Sequence, residues 1–167
     1  MEERFSLPFK FCTACYLRKG SDTLLMNYTN YLHPVHKGFF APPGGNIDLG
    51  ETPGQNVRRE VLEETGIIVF NPTLRGRADF LNEKRTFGDK PAKNNYRVWI
   101  YEGDYFDDSK AKATEGELVW IPNIQYKALK VHEGDRVIWD WLEEIRYFEG
   151  EIEHIGEKLV RAEIVKS

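Results

Sequence analysis

Three glutamates, Glu60, Glu63 and Glu64, stand three and four residues apart in the stretch GGNIDLGETPGQNVRREVLEETGI that runs from Gly44 to Ile67. On a helix, residues at those spacings are neighbours on one flank. Three carboxylates so placed repel one another, and nothing about helix stability calls for them. Clustered carboxylate oxygens suit a hard divalent cation such as Mg2+, which also bridges to phosphate oxygens. Arg59 stands one turn before Glu63 and can reach that carboxylate to hold its rotamer. Glu51, ahead of the helix, is a further ligand candidate or a supporting group. The plainer reading of the same run is a solvated acidic helix face.

The elements that must position these groups are legible nearby. Thr52 is a good N-cap, Pro53 suits the first helical position, and Gln55 completes a Thr-x-x-Gln capping box. Gly66 suits the position just past a helix C-terminus. A helix over Pro53–Thr65 follows, with Val57 and Val61 on its buried face. Gly44 and Gly45 come after Pro42-Pro43, where the chain must turn sharply or bring backbone close to a metal or phosphate. Residues 9–18 and 23–28 read as strands around the Gly20-Ser21-Asp22 turn, and 29–44 as a loop. Residues 74–81 and 95–102 read as strands joined by the polar loop EKRTFGDKPAKNN, and 118–121 as a short strand. Apolar positions from Asp135 to Phe148 recur at helical spacing, and Val160, Ala162 and Ile164 alternate as in a final strand. Strands interleaved with two helices predict an α/β sandwich with a mixed sheet.

The chain has 167 residues, a formal net charge of −4 and 41% hydrophobic residues. These values fit a single soluble globular domain over residues 1–167 with a real core. No apolar run is long enough to span a bilayer, and the opening Met1-Glu2-Glu3-Arg4 does not read as a secretory signal. An acidic balance argues against a general nucleic-acid surface, duplex included. It still permits an anionic nucleotide where metal ions intervene. Cys12 and Cys15 form a lone C-x2-C with no second pair to complete a zinc site. On a strand they face opposite sides, which fits reduced structural thiols in a cytoplasmic protein. His33 and His36 lack a third metal-ligating partner and read as loop residues.

From Gly45 onward the spacing G-x5-E-x7-R-E-U-x-E-E-x-G-U, with U aliphatic, holds at every specified position: Gly45, Glu51, Arg59, Glu60, Val61, Glu63, Glu64, Gly66 and Ile67. This resembles the Nudix box. At average residue usage a chain of this length meets the pattern by chance roughly once in ten million, so the likeness is not accidental. A looser likeness to the MutT-type subgroup, which acts on oxidised purine nucleoside triphosphates, runs through the strand-turn-strand before the box, the LVWIP segment and the ending YFEGEIEHIGEKLVRAEIV.

The resemblance implies an α/β/α sandwich and hydrolysis of a nucleoside diphosphate linked to another moiety, with Mg2+ or Mn2+. It assigns the metal to Glu60, Glu63 and Glu64 together with a backbone carbonyl of Gly44. Arg59, Glu63 and Glu64 then form the catalytic set, and the metals polarise a bridging phosphate and acidify the attacking water. The general base is one of these carboxylates or a loop acid outside the helix. Glu115, in ATEGELVW, falls about where related enzymes carry such an acid, though it equally reads as a solvated loop glutamate. Basic residues of the 83–97 loop meet the distal phosphates or serve solubility.

For the base, the resemblance points to an aromatic before the double glycine, here Phe40. The asparagine that follows it in oxidised-purine enzymes is replaced by Ala41, which predicts broader base selectivity. The segment before the last helix is His132-Glu133-Gly134-Asp135. His132 either stacks on a base or is a surface residue. Asp135 either accepts hydrogen bonds from a purine edge or caps the helix it opens, and the start of the apolar periodicity favours the cap. The expected reaction converts a nucleoside triphosphate to the monophosphate and pyrophosphate. ADP-ribose, a nucleotide sugar, a dinucleoside polyphosphate and a capped RNA end are the alternative substrates, and a non-catalytic nucleotide-sensing module is a third reading. Monomer and homodimer both remain open.

Overall fold

The computed structural model describes residues 5–29, 37–114 and 116–167. His33, His36 and Glu115 lie outside the described residues. In chain order the described elements are β1 (Phe9–Lys19), β2 (Asp22–Asn27), β3 (Phe40–Ala41), β4 (Gly44–Asn46), α1 (Pro53–Thr65), β5 (Ile68–Val69), β6 (Thr73–Phe87) and β7 (Lys90–Pro91). They continue with β8 (Asn95–Gly103), β9 (Phe106–Asp107), β10 (Glu117–Pro122), a 3-10 turn (Asn123–Ala128), α2 (Glu133–Glu144), β11 (Phe148–Gly156) and β12 (Lys158–Lys166).

The main sheet follows the order β10-β2-β1-β8-β6-β11-β12, with β4 on β1, β3 on β2 and β7 on β6. It is mixed: β1 runs parallel to β8 and β6 parallel to β11, while β6 and β8 are antiparallel. Alternation along each strand sorts side chains to two faces. Cys15, Leu17 and Leu24 join Val57 and Val61 of α1 in one buried cluster. Tyr16, Leu25 and Ile100 join Ile138, Trp139 and Leu142 of α2 in the other. Each face of the sheet thus carries one helix, the α/β/α arrangement expected. Cys12 and Cys15 take opposite faces and neither forms a disulfide. No helix among the described residues is long and apolar enough to cross a membrane.

Three boundaries differ from expectation. The segment read as a loop to residue 44 contains β3, and Gly44 already belongs to β4. The polar loop after residue 82 is largely strand, because β6 runs on to Phe87 and turns back through β7. The last helix covers Glu133–Glu144, not Asp135–Phe148, and Phe148 instead opens β11, opposite Gly76. Arg75 sets that end: its guanidinium takes the carbonyls of Leu142 and Ile145 at 2.9 and 2.8 Å and that of Arg146 at 2.7 Å. The carbonyls that a helix end leaves bare are satisfied from β6, and the chain is released into a strand.

Candidate active site

Helix α1 starts where its local chemistry dictates. Thr52 Oγ1 accepts from Gln55 N at 3.2 Å, and Gln55 Oε1 accepts from Thr52 N at 2.9 Å. Gly66 closes the helix in the left-handed region at φ 69°. Val57 and Val61 are fully buried, each stabilising the helix on the sheet by about 1.5–3 kcal/mol. With that stripe anchored, Arg59, Glu60, Glu63 and Glu64 are held on the flank facing β4.

Arg59 organises the acids. Its Nε and Nη2 donate to the two oxygens of Glu51 at 2.7 and 3.1 Å. Nη1 meets Glu63 Oε2 and Glu60 Oε1, both at 3.0 Å, and Nη2 lies 3.3 Å from Asp48. The reach from Arg59 to Glu63 expected from the spacing is therefore present. Glu51 also accepts from Asp48 N and Asn56 Nδ2, and with Arg59 first among the causes its pKa is held down to about 2. Glu60 is the opposite case: burial raises its pKa, Arg59 pulls it back and Glu63 raises it further. Asn56, which the sequence did not single out, is fully buried. It binds Thr13 at 2.5 Å, the Asn46 carbonyl at 2.7 Å and Glu51 at 2.9 Å, locking α1 to β1 and β4.

The glycines before the helix serve close approach rather than a turn. A Cβ on Gly44 would collide with the Thr13 carbonyl, and one on Gly45 would lie 2.5 Å from the carboxylate carbon of Glu60. Gly44 N also donates to Glu64 Oε2 at 3.0 Å. The donor set is all-oxygen and hard, and the Gly45 cradle presses Glu60 towards the β4 backbone, so its chemistry fits Mg2+ or Mn2+. Among the described residues no three acidic, histidine or cysteine side chains converge into a ready cage. Arg59 supplies the positive charge instead, and Glu63, with its side chain 57% exposed against 15% for Glu60, is freer than Glu60 to turn towards a cation.

A cavity opens on the α2 face of the sheet, in two lobes. The outer lobe, about 600 Å³, is bounded by Phe39, Arg85, Phe87, Lys130, His132 and His154 among others. The inner lobe, about 320 Å³, is lined by Phe80, Arg85, Phe87, Tyr96, His132, Gly134, Asp135 and His154. Two hairpins clasp it, since Glu157 after β11 accepts from Gly88 N at 2.7 Å, and Glu133 on α2 accepts from Leu159 N at 2.9 Å. Tyr96 of β8 lines the inner lobe, and on the neighbouring β1 Cys12 Sγ donates to Asn46 Oδ1 of β4 at 3.2 Å.

The residues expected at the base are redistributed. Asp135 is not the helix cap. The N-cap is His132, and Asp135 sits in the first turn with its side chain on the inner lobe. Gly134 makes this possible, because a Cβ there would lie 2.5 Å from the Phe80 ring. Burial pushes the Asp135 pKa up to about 6, against the pull of Arg85. His132 lines both lobes, stacked on Phe39 with centroids 4.1 Å apart. Phe40 packs against the core, and Phe39 beside it lines the cavity. Of the basic residues in 83–97, Arg85 enters the cavity, while Arg97 is spent on Asp79. Sequence reasoning missed His154, which is buried in β11 with its Nδ1 unpartnered. Its place in a strand alternation was the available signal.

Residues 11–142 match the NUDIX domain. YvcI, a Nudix hydrolase of Bacillus subtilis (strain 168), is 28% identical over 130 residues, 78% of this chain and 77% of YvcI. The NAD-capped RNA hydrolase NudC of Pasteurella multocida is 43% identical over 61 residues, 36% of this chain and 21% of NudC. The crystal structure of a MutT protein from Bacillus halodurans shares the fold, with a TM-score of 0.77 at 22% identity over 93% of this chain and 97% of that one. The box on α1, the sandwich around it and the domain match converge: this chain belongs to the Nudix family and is a hydrolase of phosphoric anhydride bonds.

Proposed function

We propose that the chain is a divalent-metal-dependent pyrophosphohydrolase of nucleoside triphosphates, oxidised purine ones included, releasing the monophosphate and pyrophosphate. One observation carries this reading. An aromatic cavity with the Asp135 carboxylate on its wall lies on one face of the sheet whose other face carries α1 and its acidic flank. A base in the inner lobe would have to send its phosphates past β4, where Gly45 carries no side chain and the Glu60 carboxylate reaches the backbone, to meet Glu60, Glu63 and Glu64.

Glu60, Glu63 and Glu64 would hold Mg2+ or Mn2+, which would supply neutralising charge to the phosphate oxygens. The protein's own part is positional. Arg59 fixes Glu51, Glu60 and Glu63 in one array, and Glu51 stays ionised and keeps Arg59 in place. Gly44 N holds Glu64 in a set rotamer. The proton of the attacking water passes to one of the helix carboxylates or to Glu115. A second reading keeps the chemistry and changes the leaving group to a further nucleoside or sugar. The outer lobe favours it by offering room beyond a single ring, and the likeness to NudC points the same way.

The deciding experiment runs the reaction in 18O water with Mg2+ over normal and oxidised nucleoside triphosphates, nucleotide sugars and dinucleotides. Labelled pyrophosphate beside unlabelled monophosphate is the expected result, abolished by a chelator. Orthophosphate as the first product would overturn it.

A further inference from the structure

Asn56 stands at a position that the box spacing leaves open, and its side chain is fully buried between α1 and the sheet. Asparagine is a poor residue for a helix interior, and burying its amide is costly unless the bonds lost to water are replaced. Here the replacement is specific. Nδ2 donates to the Asn46 carbonyl at 2.7 Å and to Glu51 Oε2 at 2.9 Å, while Oδ1 accepts from the Thr13 hydroxyl at 2.5 Å. Turning the amide over would set its oxygen against two acceptor oxygens, so its orientation is fixed. Thr13, itself buried, lies on β1 opposite Gly45 of β4.

These bonds end on the carboxylate that grips Arg59. Glu51 Oε1 accepts from Arg59 Nε at 2.7 Å. Its Oε2 accepts from Arg59 Nη2 at 3.1 Å, Asp48 N at 3.0 Å and Asn56 Nδ2 at 2.9 Å. An arginine and a carboxylate gripping each other can swing together as one unit. Asp48 offers little restraint, because it shares a tight turn with Glu51, whose N–H donates to the Asp48 carbonyl at 3.0 Å. Asn56 is different: a short, buried side chain fastens Glu51 to the body of α1, and Thr13 fastens Asn56 to the sheet. Asn46 is drawn into the same tie, since its carbonyl also accepts from Arg59 Nη2 at 3.4 Å and its Oδ1 from Cys12 Sγ at 3.2 Å.

We propose that Asn56, anchored by Thr13, is a positioning residue for anhydride hydrolysis: it holds Glu51 still, so that the Arg59 guanidinium aligns the Glu60 and Glu63 carboxylates. Arg59 Nη1 meets both of those acids at 3.0 Å, so a swing of Glu51 passes directly to them. An alkyl side chain at position 56 would leave the Thr13 hydroxyl and the Asn46 carbonyl short of a partner and Glu51 short of a donor. The tie acts whatever group leaves the anhydride, and the inference does not depend on a triphosphate being the substrate.

The test uses the full chain, wild type beside Asn56→Ala, Thr13→Val and Val57→Ala, with a melting curve for each. Kinetics with Mg2+ use whichever of GTP, ATP and ADP-ribose the wild type cleaves fastest. NMR without metal or substrate follows hydrogen exchange at the Arg59 Nε–H. Asn56→Ala should lower kcat about ten- to a hundredfold, the effect of one hydrogen bond to a charged group, with KM kept within about threefold. Its Arg59 Nε–H should exchange at least about tenfold faster. Thr13→Val keeps both donors of Asn56 and loses only the anchor, so it should fall between Asn56→Ala and wild type in both readouts. Val57→Ala removes buried apolar contact from the same helix. It should lower Tm at least as far as Thr13→Val, yet keep kcat and Arg59 exchange within about twofold. Wild-type kcat and exchange in Asn56→Ala would overturn the proposal. So would an equal loss of kcat in Val57→Ala and Asn56→Ala, which would mark Asn56 as a purely structural tie. If Asn56→Ala does not fold, Thr13→Val decides, and wild-type kcat and exchange there overturn the proposal. Cleavage of ADP-ribose alone would refute the triphosphate reading, while the same comparisons still decide the role of Asn56.

Discussion

Replacing Asp135 with asparagine should stabilise this protein at neutral pH and leave it unchanged in acid. Burial against Phe80, Phe87 and Tyr96 raises the Asp135 pKa from 3.8 to about 6, with Arg85 opposing. The other titratable groups around it are Tyr96 on β8, His132 at the cap of α2, His154 on β11, Tyr126 in the 3-10 turn and Tyr16 on β1. An acid whose folded pKa is raised favours the native state most when protonated. Its contribution is fully present below about pH 3.8 and lost as pH rises through about 6. The two pKa values lie roughly two units apart, and at about 1.4 kcal/mol per unit the ionised carboxylate costs about 3 kcal/mol. The first turn of α2 favours a negative charge by about 0.3–1 kcal/mol, which leaves about 2 kcal/mol.

Asparagine keeps the shape and removes the charge, so Asp135→Asn should gain about 4–8 °C in Tm near neutrality for a chain of this size. The gain should shrink through about pH 6 and vanish by about pH 4. His154 titrates in the same window with the opposite sign. Burial lowers its pKa from 6.5 to about 4, so its contribution is present above 6.5 and lost as pH falls through 4. Subtracting wild type from variant at each pH removes that background. Melting curves by circular dichroism at several pH values between these limits are the assay. A gain of equal size at every pH, or a loss near neutrality, would refute the burial argument.

Glu63→Gln and Glu64→Gln should each lower kcat by at least about a hundredfold, because a missing ligand forfeits several kcal/mol of charge stabilisation; steady-state rates with Mg2+ beside an unchanged melting curve check this. Arg59→Lys keeps the charge and loses the planar fork that grips Glu51 at 2.7 and 3.1 Å while meeting Glu60 and Glu63. It should lose much of the rate, and a variant matching wild type would remove Arg59 from its orienting role. Gly44→Ala drives a methyl into the Thr13 backbone and should lower Tm by several degrees. Gly45→Ala meets the flexible Glu60 carboxylate first; it should keep its Tm and lose activity, and the reverse pattern would contradict the assigned contacts.

The acidic flank of α1 was readable from the sequence because everything that builds it is local. The Thr52–Gln55 capping box, Pro53, the left-handed Gly66 and the carboxylates one turn apart all interact within a few residues of chain. Helix α1 accordingly covers Pro53–Thr65, as the spacing predicts. The end of α2 was not readable, because the groups that satisfy its carbonyls sit on Arg75, far back in β6. Periodicity alone ran the helix on to Phe148, which tertiary pairing turns into a strand beside Gly76. The cavity belongs to the same class. Whether Asp135 caps a helix or lines a pocket depends on Gly134 packing against Phe80. Arg85 and His154 become neighbours through the parallel pairing of β6 and β11, a contact that no local hydrogen bond announces. Residue type and spacing thus determined the chemistry that one helix turn can assemble, while long-range strand pairing and burial decided which side chains line the cavity.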